Sequence, residues 1–180
     1  MDPSPISQPI RAQLLKAVEA HSKALERYAY SLCGCEHRAR DAVQETLLRL
    51  VKRQEPIDPE ARLAPWLYRV CRTRIIDQFK KEGRMTHPDT FPETPPPEAP
   101  EASTPSQDAE TRDSASVLSQ VIQTLPKNQR EVVRLKFNSQ LSYKEIAEIT
   151  ELSVSNVGFL LNKAIHTLRT RLRTESDLIA

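Results

Sequence analysis

Glycine is scarce in this 180-residue chain, which has three glycines, and aromatic residues make up 5% of it. So few glycines leave no glycine-rich loop that could cradle a phosphate. Alternating β-branched runs are also few, whereas long stretches of the sequence are compatible with helix. We therefore expect an all-α fold, and the length suits one or two small domains.

Long apolar runs are absent as well. No stretch is long and apolar enough to span a bilayer, and no basic segment followed by an apolar one opens the chain. We expect a cytoplasmic protein without membrane insertion. The four histidines are scattered, and no Ser/His/Asp set or pair of metal-binding carboxylates stands out. An enzyme is therefore disfavoured, and no cofactor is expected.

The three cysteines are too few and too oddly placed for a disulfide framework. Cys33, Cys35 and His37 lie close in sequence, and Cys71 could complete a metal site with them. The usual Cys-x-x-Cys spacing is missing, so we expect no metal. Cys71 is better explained as a small apolar residue of the core.

The net charge of +2 hides a strong pattern. Residues 66–84 hold six Lys/Arg against two Asp/Glu, and residues 127–174 hold nine against four. Between them, residues 86–113 hold one Arg against seven acids, together with seven of the fourteen prolines. Two basic segments indicate two contacts with a polyanion, and the acidic, proline-rich stretch is predicted to be a flexible linker.

Helical periodicity organises the rest of the chain. The predicted helices cover residues 10–33, 37–52, 65–82, 114–125 and 127–138, followed by a closely spaced pair within 142–173. Gly34 is expected to end the first helix, and Pro65 is expected to be the first residue of the third. We predict an N-terminal domain at residues 10–84, a linker at 85–113 and a four-helix domain at 114–174.

The last helix pair indicates a helix-turn-helix. Ser142 and Glu145 can form a capping box at the first of the two helices, and Ser153 or Ser155 can cap the second. The second helix has an apolar stripe of Val157, Leu161, Ala164, Leu168 and Leu172. Its opposite face carries amide, hydroxyl and cationic side chains, which suit a DNA major groove. An ordinary surface helix in a bundle is the alternative.

Two N-terminal helices also carry unusual faces. On the second helix, Asp41, Glu45, Leu48 and Lys52 point away from the predicted core, with Gln44 at the edge. An exposed leucine between carboxylates suits a protein partner with basic and apolar groups. The third helix interleaves cations with aromatic rings, which fits single-stranded nucleic acid. Tyr68 and Phe79 are nevertheless expected in the core, and Trp66 could serve either purpose. Ile76 is expected to point away from the core with Arg69, Thr73 and Lys80.

The order of these motifs resembles that of bacterial RNA polymerase sigma factors. Region 4 of that family is matched by Leu125-Pro126, Gln129-Arg130-Glu131-Val132 and Leu141-Ser142-Tyr143-Lys144-Glu145-Ile146-Ala147. Region 2 is matched by Asp41-Ala42-Val43-Gln44-Glu45-Thr46, Leu48-Arg49-Leu50, Pro65-Trp66-Leu67-Tyr68-Arg69-Val70 and Arg74-Ile75-Ile76-Asp77. Regions 2 and 4 alone, joined by a short linker, are the layout of the extracytoplasmic-function (ECF, group IV) subfamily.

The resemblance implies partners and site residues. Region 2, a bundle of three to four helices, would bind the clamp helices of the largest polymerase subunit through Asp41, Gln44, Glu45 and Leu48. It would bind and melt the minus-ten promoter element through Arg62, Trp66, Arg69, Arg72, Arg74 and Lys80. Region 4 would contact the flap of the second polymerase subunit. It would read the minus-thirty-five element through Ser153, Ser155, Asn156, Phe159, Asn162, Lys163 and His166. An anti-sigma factor is a further expected partner.

The sequence departs from the family pattern at two places. Glu151 stands where the turn usually has Gly, which implies either backbone strain or a different turn. Gly158, Phe159 and Leu160 stand where the recognition helix usually has Lys, Ser and Arg. Fewer cations mean fewer phosphate contacts. Phe159 is expected either to contact DNA or to pack against a neighbouring helix or a protein partner.

Two other functions fit parts of the sequence. A stand-alone helix-turn-helix regulator would share the C-terminal motif, but residues 1–84 show no α/β receiver pattern. A helical adaptor that binds only proteins would share the amphipathic helices, and it would give no salt-dependent DNA binding. The expected function is therefore that of a non-catalytic initiation factor, which directs core RNA polymerase to promoters and assists their melting.

Overall fold

The computed structural model describes residues 8–52, 63–83 and 118–179, and all regular structure within these ranges is helical. The helices are α1 (Gln8–Cys33), α2 (Glu36–Lys52), α3 (Leu63–Lys81), α4 (described over residues 118–123), α5 (Lys127–Phe137), α6 (Tyr143–Thr150) and α7 (Val154–Ile179). The expected all-α class is thus confirmed. The predicted linker, most of the loop before α3, and Arg62 lie outside the described residues.

The chain divides into two compact units, one N-terminal and one C-terminal. In the N-terminal unit, α1, α2 and α3 each pack against the other two. The fully enclosed side chains of this unit include Leu25, Ala29, Leu67, Cys71, Ile75 and Phe79. The rings of Tyr28 and Tyr68 meet edge to face, with centroids 4.9 Å apart, and join α1 to α3. The expectation that Tyr68, Phe79 and Cys71 belong to the core is confirmed.

Packing on two partners widens the buried face of α3. Ile76 was expected to point away from the core, but it is 7% exposed. Helix α3 contacts both α1 and α2, so its buried surface exceeds the single stripe that a helix on one partner would show. The prediction for Ile76 was therefore wrong.

The ends of α1 and α3 follow local chemistry. Gly34 has a φ of 64°, and its N–H donates a 2.8 Å hydrogen bond to the carbonyl of Tyr30. This left-handed glycine ends α1, as predicted. Helix α3 begins at Leu63, two residues before the predicted start at Pro65. Proline is tolerated there because the N–H groups of a first helical turn have no partner within the helix.

The C-terminal unit has a core to which α4, α5, α6 and α7 all contribute. Helix α5 packs on α7. Its most enclosed apolar side chains include Val121, Leu125, Val132, Leu135, Ile146, Val157, Leu161 and Ala164. Within α5 and α7 these residues recur at helical spacing, so each of the two helices turns an apolar stripe inward.

Three polar residues of α5 belong to this scaffold rather than to an exposed surface. Gln129 and Glu131 are 4% and 5% exposed. The Arg130 guanidinium donates a 2.9 Å hydrogen bond to the carbonyl of Leu125 and another to the carbonyl of Gln123. It thereby caps the end of α4. Burial, with a smaller effect of Arg130, lowers the pKa of Arg134 to about 10.

Among the helices of the described residues, none combines the length and apolarity needed to cross a bilayer.

Candidate protein-binding and nucleic-acid interfaces

The outward face of α2 carries Asp41, Gln44, Glu45 and Leu48. Their spacing of three, one and three residues places them on one side of a helix. The opposite side is buried through Ala39, Ala42, Val43, Thr46 and Leu50. Gln44 is exposed and the Leu48 side chain is 54% exposed. The Asp41 carboxylate lies 3.1 Å from the His37 ring nitrogen. The structure therefore brings the four predicted polymerase-binding residues together on one accessible surface, here called the α2 face.

Glu45 connects the α2 face to α3. Its carboxylate lies 3.0 Å from the Arg74 guanidinium and 3.5 Å from that of Arg49. Residues expected to bind two different partners, Glu45 and Arg74, thus form one ion pair. Sequence spacing within a single helix could reveal the contact to Arg49, at i and i+4, but not the contact between helices.

The residues expected to contact the minus-ten element differ in their exposure to solvent. Arg69 and Lys80 are exposed, whereas Trp66 and Arg74 are half-buried. Arg72 is 7% exposed, so its side chain belongs to the interior of the N-terminal unit. The pattern along one helix did not indicate this burial, because α3 packs on two helices rather than one. A direct contact of Arg72 with the minus-ten element stays a prediction.

The start of the helix-turn-helix has the predicted capping box. The N–H of Ser142 donates a 2.7 Å hydrogen bond to the Glu145 carboxylate, and the N–H of Glu145 donates a 3.3 Å bond to the Ser142 hydroxyl. Two free donors of the first turn of α6 are satisfied in this way. The short helix α6 therefore begins at a defined residue.

The turn between α6 and α7 settles the question raised by Glu151. Its φ is 61°, and the N–H of Leu152 donates a 3.2 Å hydrogen bond to the carbonyl of Ala147. This is the pattern of a Schellman cap, in which glycine is favoured at the left-handed position. The turn is therefore the one that glycine would make, and Glu151 makes it under strain.

Helix α7 starts at a side-chain cap. The N–H of Asn156 donates a 3.1 Å hydrogen bond to the Ser153 hydroxyl, so Ser153 is the capping residue. An exposed row follows on the outward side: Ser155, Asn156, Phe159, Asn162, Lys163 and His166. Val157, Leu161 and Ala164 are fully buried on the inward side. The predicted minus-thirty-five residues thus share one accessible surface, here called the α7 face.

Tyr143, which lies beside the α7 face, was not singled out as a site residue from the sequence. It is the first residue of α6 and is 41% exposed. A Cβ atom added to Gly158 would lie 3.7 Å from its ring, and the Lys136 ammonium lies 5.4 Å from the ring centroid. An aromatic residue directly after a capping serine was the available sequence signal.

The cysteines show no metal geometry. In the part of the chain that the structure describes, no three His, Cys, Asp or Glu residues are grouped to hold an ion. Cys33 and Cys71 are buried and Cys35 is half-buried, all three as free thiols. Burial raises the pKa of the Cys33 thiol, and it raises that of Cys71 to about 12. Both are poor nucleophiles and poor ligands at neutral pH.

Comparison with known proteins places both units in one family. The family model for Sigma-70 region 2 matches residues 17–85, and the family model for Sigma-70, region 4 matches residues 116–168. The ECF RNA polymerase sigma factor SigL of Mycobacterium tuberculosis is 32% identical over 164 residues, which cover 90% of each chain. The ECF RNA polymerase sigma factor SigW of Bacillus subtilis is 25% identical over 171 residues, which cover 87% of each chain.

Solved structures share the fold. The sigma factor RpoE of Bartonella quintana, in complex with the anti-sigma factor NepR, has a TM-score of 0.65 and 24% identity. That match covers 93% of this chain and 98% of the other. CnrH, in complex with the cytosolic domain of CnrY, has a TM-score of 0.59 and 21% identity, over 91% of this chain and 90% of the other.

Proposed function

This chain belongs to the ECF sigma factors of the sigma-70 family, and we propose that its two units divide the recognition of polymerase and promoter between the α2, α3 and α7 surfaces. As a sigma factor, it directs RNA polymerase to promoters during transcription initiation. In the proposed division, residues 10–84 form region 2, residues 85–113 form the linker and residues 114–174 form region 4. The protein acts in the cytoplasm as a non-catalytic subunit, and polymerase performs the chemistry.

The observation that carries the proposal is the pairing of two accessible faces on one chain. The α2 face combines an exposed leucine with carboxylates, which suits a basic and apolar docking surface on another protein. The α7 face presents amide, hydroxyl and cationic groups opposite a fully buried stripe. Helices of this kind enter the major groove with the polar side toward the bases. A promoter-specific polymerase subunit needs both surfaces.

Each surface is assigned one partner. The α2 face binds the clamp helices of the largest polymerase subunit through Asp41, Gln44, Glu45 and Leu48. The minus-ten element contacts Trp66, Arg69, Arg74 and Lys80, with Arg62, which precedes α3 in the sequence. Arg72 supports this surface from inside, since its side chain is buried. The minus-thirty-five element lies along the α7 face, and region 4 also contacts the flap of the second subunit.

An anti-sigma factor is the proposed regulatory partner. The structural neighbours RpoE and CnrH were each solved in a complex, RpoE with the anti-sigma factor NepR and CnrH with the cytosolic domain of CnrY. A protein that covers the α2 face would block polymerase binding by occupying Leu48 and its neighbours. The exposed Leu48 side chain supports such a contact, because 54% of it is accessible.

Run-off transcription with core polymerase tests the proposal. Full-length protein is mixed with core polymerase and a pool of promoter fragments, and start sites are mapped with and without the protein. We expect new, selective start sites only when the protein is present. Asp41→Arg combined with Glu45→Arg should abolish binding to core polymerase, while both units keep their helical signal. Selective DNA binding without any association with core polymerase would contradict the proposal and favour a stand-alone regulator.

A further inference from the structure

Phe159 has the largest exposed fraction among the large apolar side chains of the described residues, at 63%. The next two residues, Leu160 and Leu161, are 7% and 1% exposed, so the helix turns its apolar side inward directly after Phe159. The ring therefore takes no part in the described core. It stands instead on the α7 face, among side chains that form hydrogen bonds.

The register of α7 aligns Phe159 with polar neighbours. Ser155, Phe159, Asn162 and His166 follow one another at spacings of four, three and four, and all four are exposed. Such residues lie in one row along a helix. The rise per residue separates Phe159 from Asn162 by about 4.5 Å along the axis. Because successive base pairs of DNA are about 3.4 Å apart, the two side chains reach neighbouring base pairs in the groove.

Charge does not dominate this row. Leu160 is buried, and Gly158 places no side chain on the surface, so neither residue contributes a cation. In the row from Ser155 to His166, Lys163 is the fixed cation among the described side chains. Recognition by this row therefore depends more on base edges than on contacts with phosphates.

The start of the helix is held in place. Ser153 caps it through the N–H of Asn156, and the Tyr143 ring covers Gly158 at 3.7 Å from the position of an added Cβ. The Lys136 ammonium lies 5.4 Å from the centroid of that ring. Phe159 therefore projects from a fixed turn of helix, which is what discrimination between similar bases requires.

The chemistry of the major groove selects the targets. Thymine presents a C5-methyl group there, which an apolar side chain can contact, and adenine presents N6 and N7, which an asparagine amide can bind together. We propose that Phe159 reads a thymine methyl group and that Asn162 reads an adenine of the neighbouring base pair. The two residues are thus the specificity determinants of the α7 face. This inference rests on the proposed binding of the minus-thirty-five element by α7.

The test removes the methyl group alone. Full-length protein assembled with core polymerase first selects its preferred duplexes from a library randomised over the upstream element. Each thymine of the selected sequence is then replaced by deoxyuridine, one position at a time, and affinity is measured. At one position we expect the replacement to weaken binding about fourfold, the effect of one buried methyl group. In Phe159→Ala the same replacement should have no effect.

Matched variants complete the test. Phe137 on α5 is 58% exposed, so Phe137→Ala removes a similarly exposed ring away from the α7 face. It should retain the thymine effect. Asn162→Ala should lower the preference for adenine next to that thymine by at least about fivefold. Replacing that adenine by 7-deazaadenine, which lacks N7, should then leave the affinity of the Asn162→Ala variant unchanged.

Distinct outcomes separate the inference from the proposed function. The inference is overturned if deoxyuridine has no effect at any thymine while transcription still starts selectively. It is also overturned if Phe159→Ala keeps the thymine effect, or if it weakens only the association with a protein partner. Failure of the protein to associate with core polymerase would overturn both the proposed function and the inference.

Discussion

Glu45 on α2 and Arg74 on α3 form an ion pair in which the carboxylate and guanidinium lie 3.0 Å apart. The side chains are 40% and 30% exposed, so water screens the pair and its contribution to folding is at most about 1 kcal/mol. Its importance lies in position, because it joins the surface proposed for polymerase to the surface proposed for promoter DNA. A partner that binds Arg74 leaves Glu45 with Arg49 at 3.5 Å, and a partner that binds Glu45 removes this contact from Arg74.

Leu48→Ala should weaken polymerase binding without unfolding the protein. The Leu48 side chain is 54% exposed, so truncation should change the free energy of unfolding by less than about 0.5 kcal/mol. An apolar anchor at an interface is worth more than about 1 kcal/mol, and we therefore expect affinity for core polymerase to fall about fivefold or more. Fluorescence anisotropy of the labelled protein, titrated with core polymerase, measures this affinity. Leu15→Ala on α1, where the leucine is 57% exposed, is the matched control and should bind normally.

Glu151→Gly should stabilise the C-terminal unit. Glu151 holds a φ of 61°, which costs a residue with a side chain about 1 kcal/mol and costs glycine little. The free energy of unfolding in urea, followed by circular dichroism, should rise by about that amount. Glu148→Gly makes the same change three residues earlier, inside α6, where φ is not positive, and it should lower stability by about 1 kcal/mol. Equal effects of the two variants would show that strain at Glu151 is absent.

Arg130→Ala should destabilise the C-terminal unit through the end of α4. The guanidinium donates to the carbonyls of Gln123 and Leu125, and its loss leaves two half-buried acceptors without that donor. We expect the free energy of unfolding to fall by about 1–3 kcal/mol. Arg130→Lys should retain only part of this stability, because an ammonium cannot reproduce the planar guanidinium fork. Arg169→Ala, at an exposed position of α7, should leave stability nearly unchanged.

Cys71 should make stability fall in alkali. Burial raises the pKa of its thiol from 9.0 to about 12. As pH rises from 9 towards 12, the unfolded chain releases the proton before the folded one, so the stability present below pH 9 is progressively lost. Within this range, Cys71 should lower the free energy of unfolding by about 1.4 kcal/mol per pH unit. Urea unfolding of Cys71→Ala across this range should show a shallower slope than the parent protein.

Features governed by local chemistry could be predicted from the sequence. The capping box of Ser142 and Glu145, the left-handed stop at Gly34 and the outward row of α7 each depend on residues within one or two helical turns. Patterns at that range determine which hydrogen bonds and faces are available. The two proposed binding faces could therefore be listed residue by residue.

Features governed by contacts between helices could not be predicted. Arg72 and Ile76 are buried because α3 packs on two neighbours, and the pattern along one helix does not tell how many partners it has. The pair of Glu45 and Arg74, like the meeting of Tyr143 with Gly158, joins residues from different helices. Sequence separation alone gives no indication of such contacts.

The environment of positions 158 to 160 constrains how this protein could be re-engineered or could have evolved. Transplanting the common Lys-Ser-Arg triplet from a relative would place a long side chain against the Tyr143 ring and a guanidinium at a site that is 7% exposed. A chimeric recognition helix would then lose folding stability before it gained a new promoter preference. Such a graft needs compensating changes around Leu160. The triplet and its surroundings must therefore be exchanged as one epistatic block.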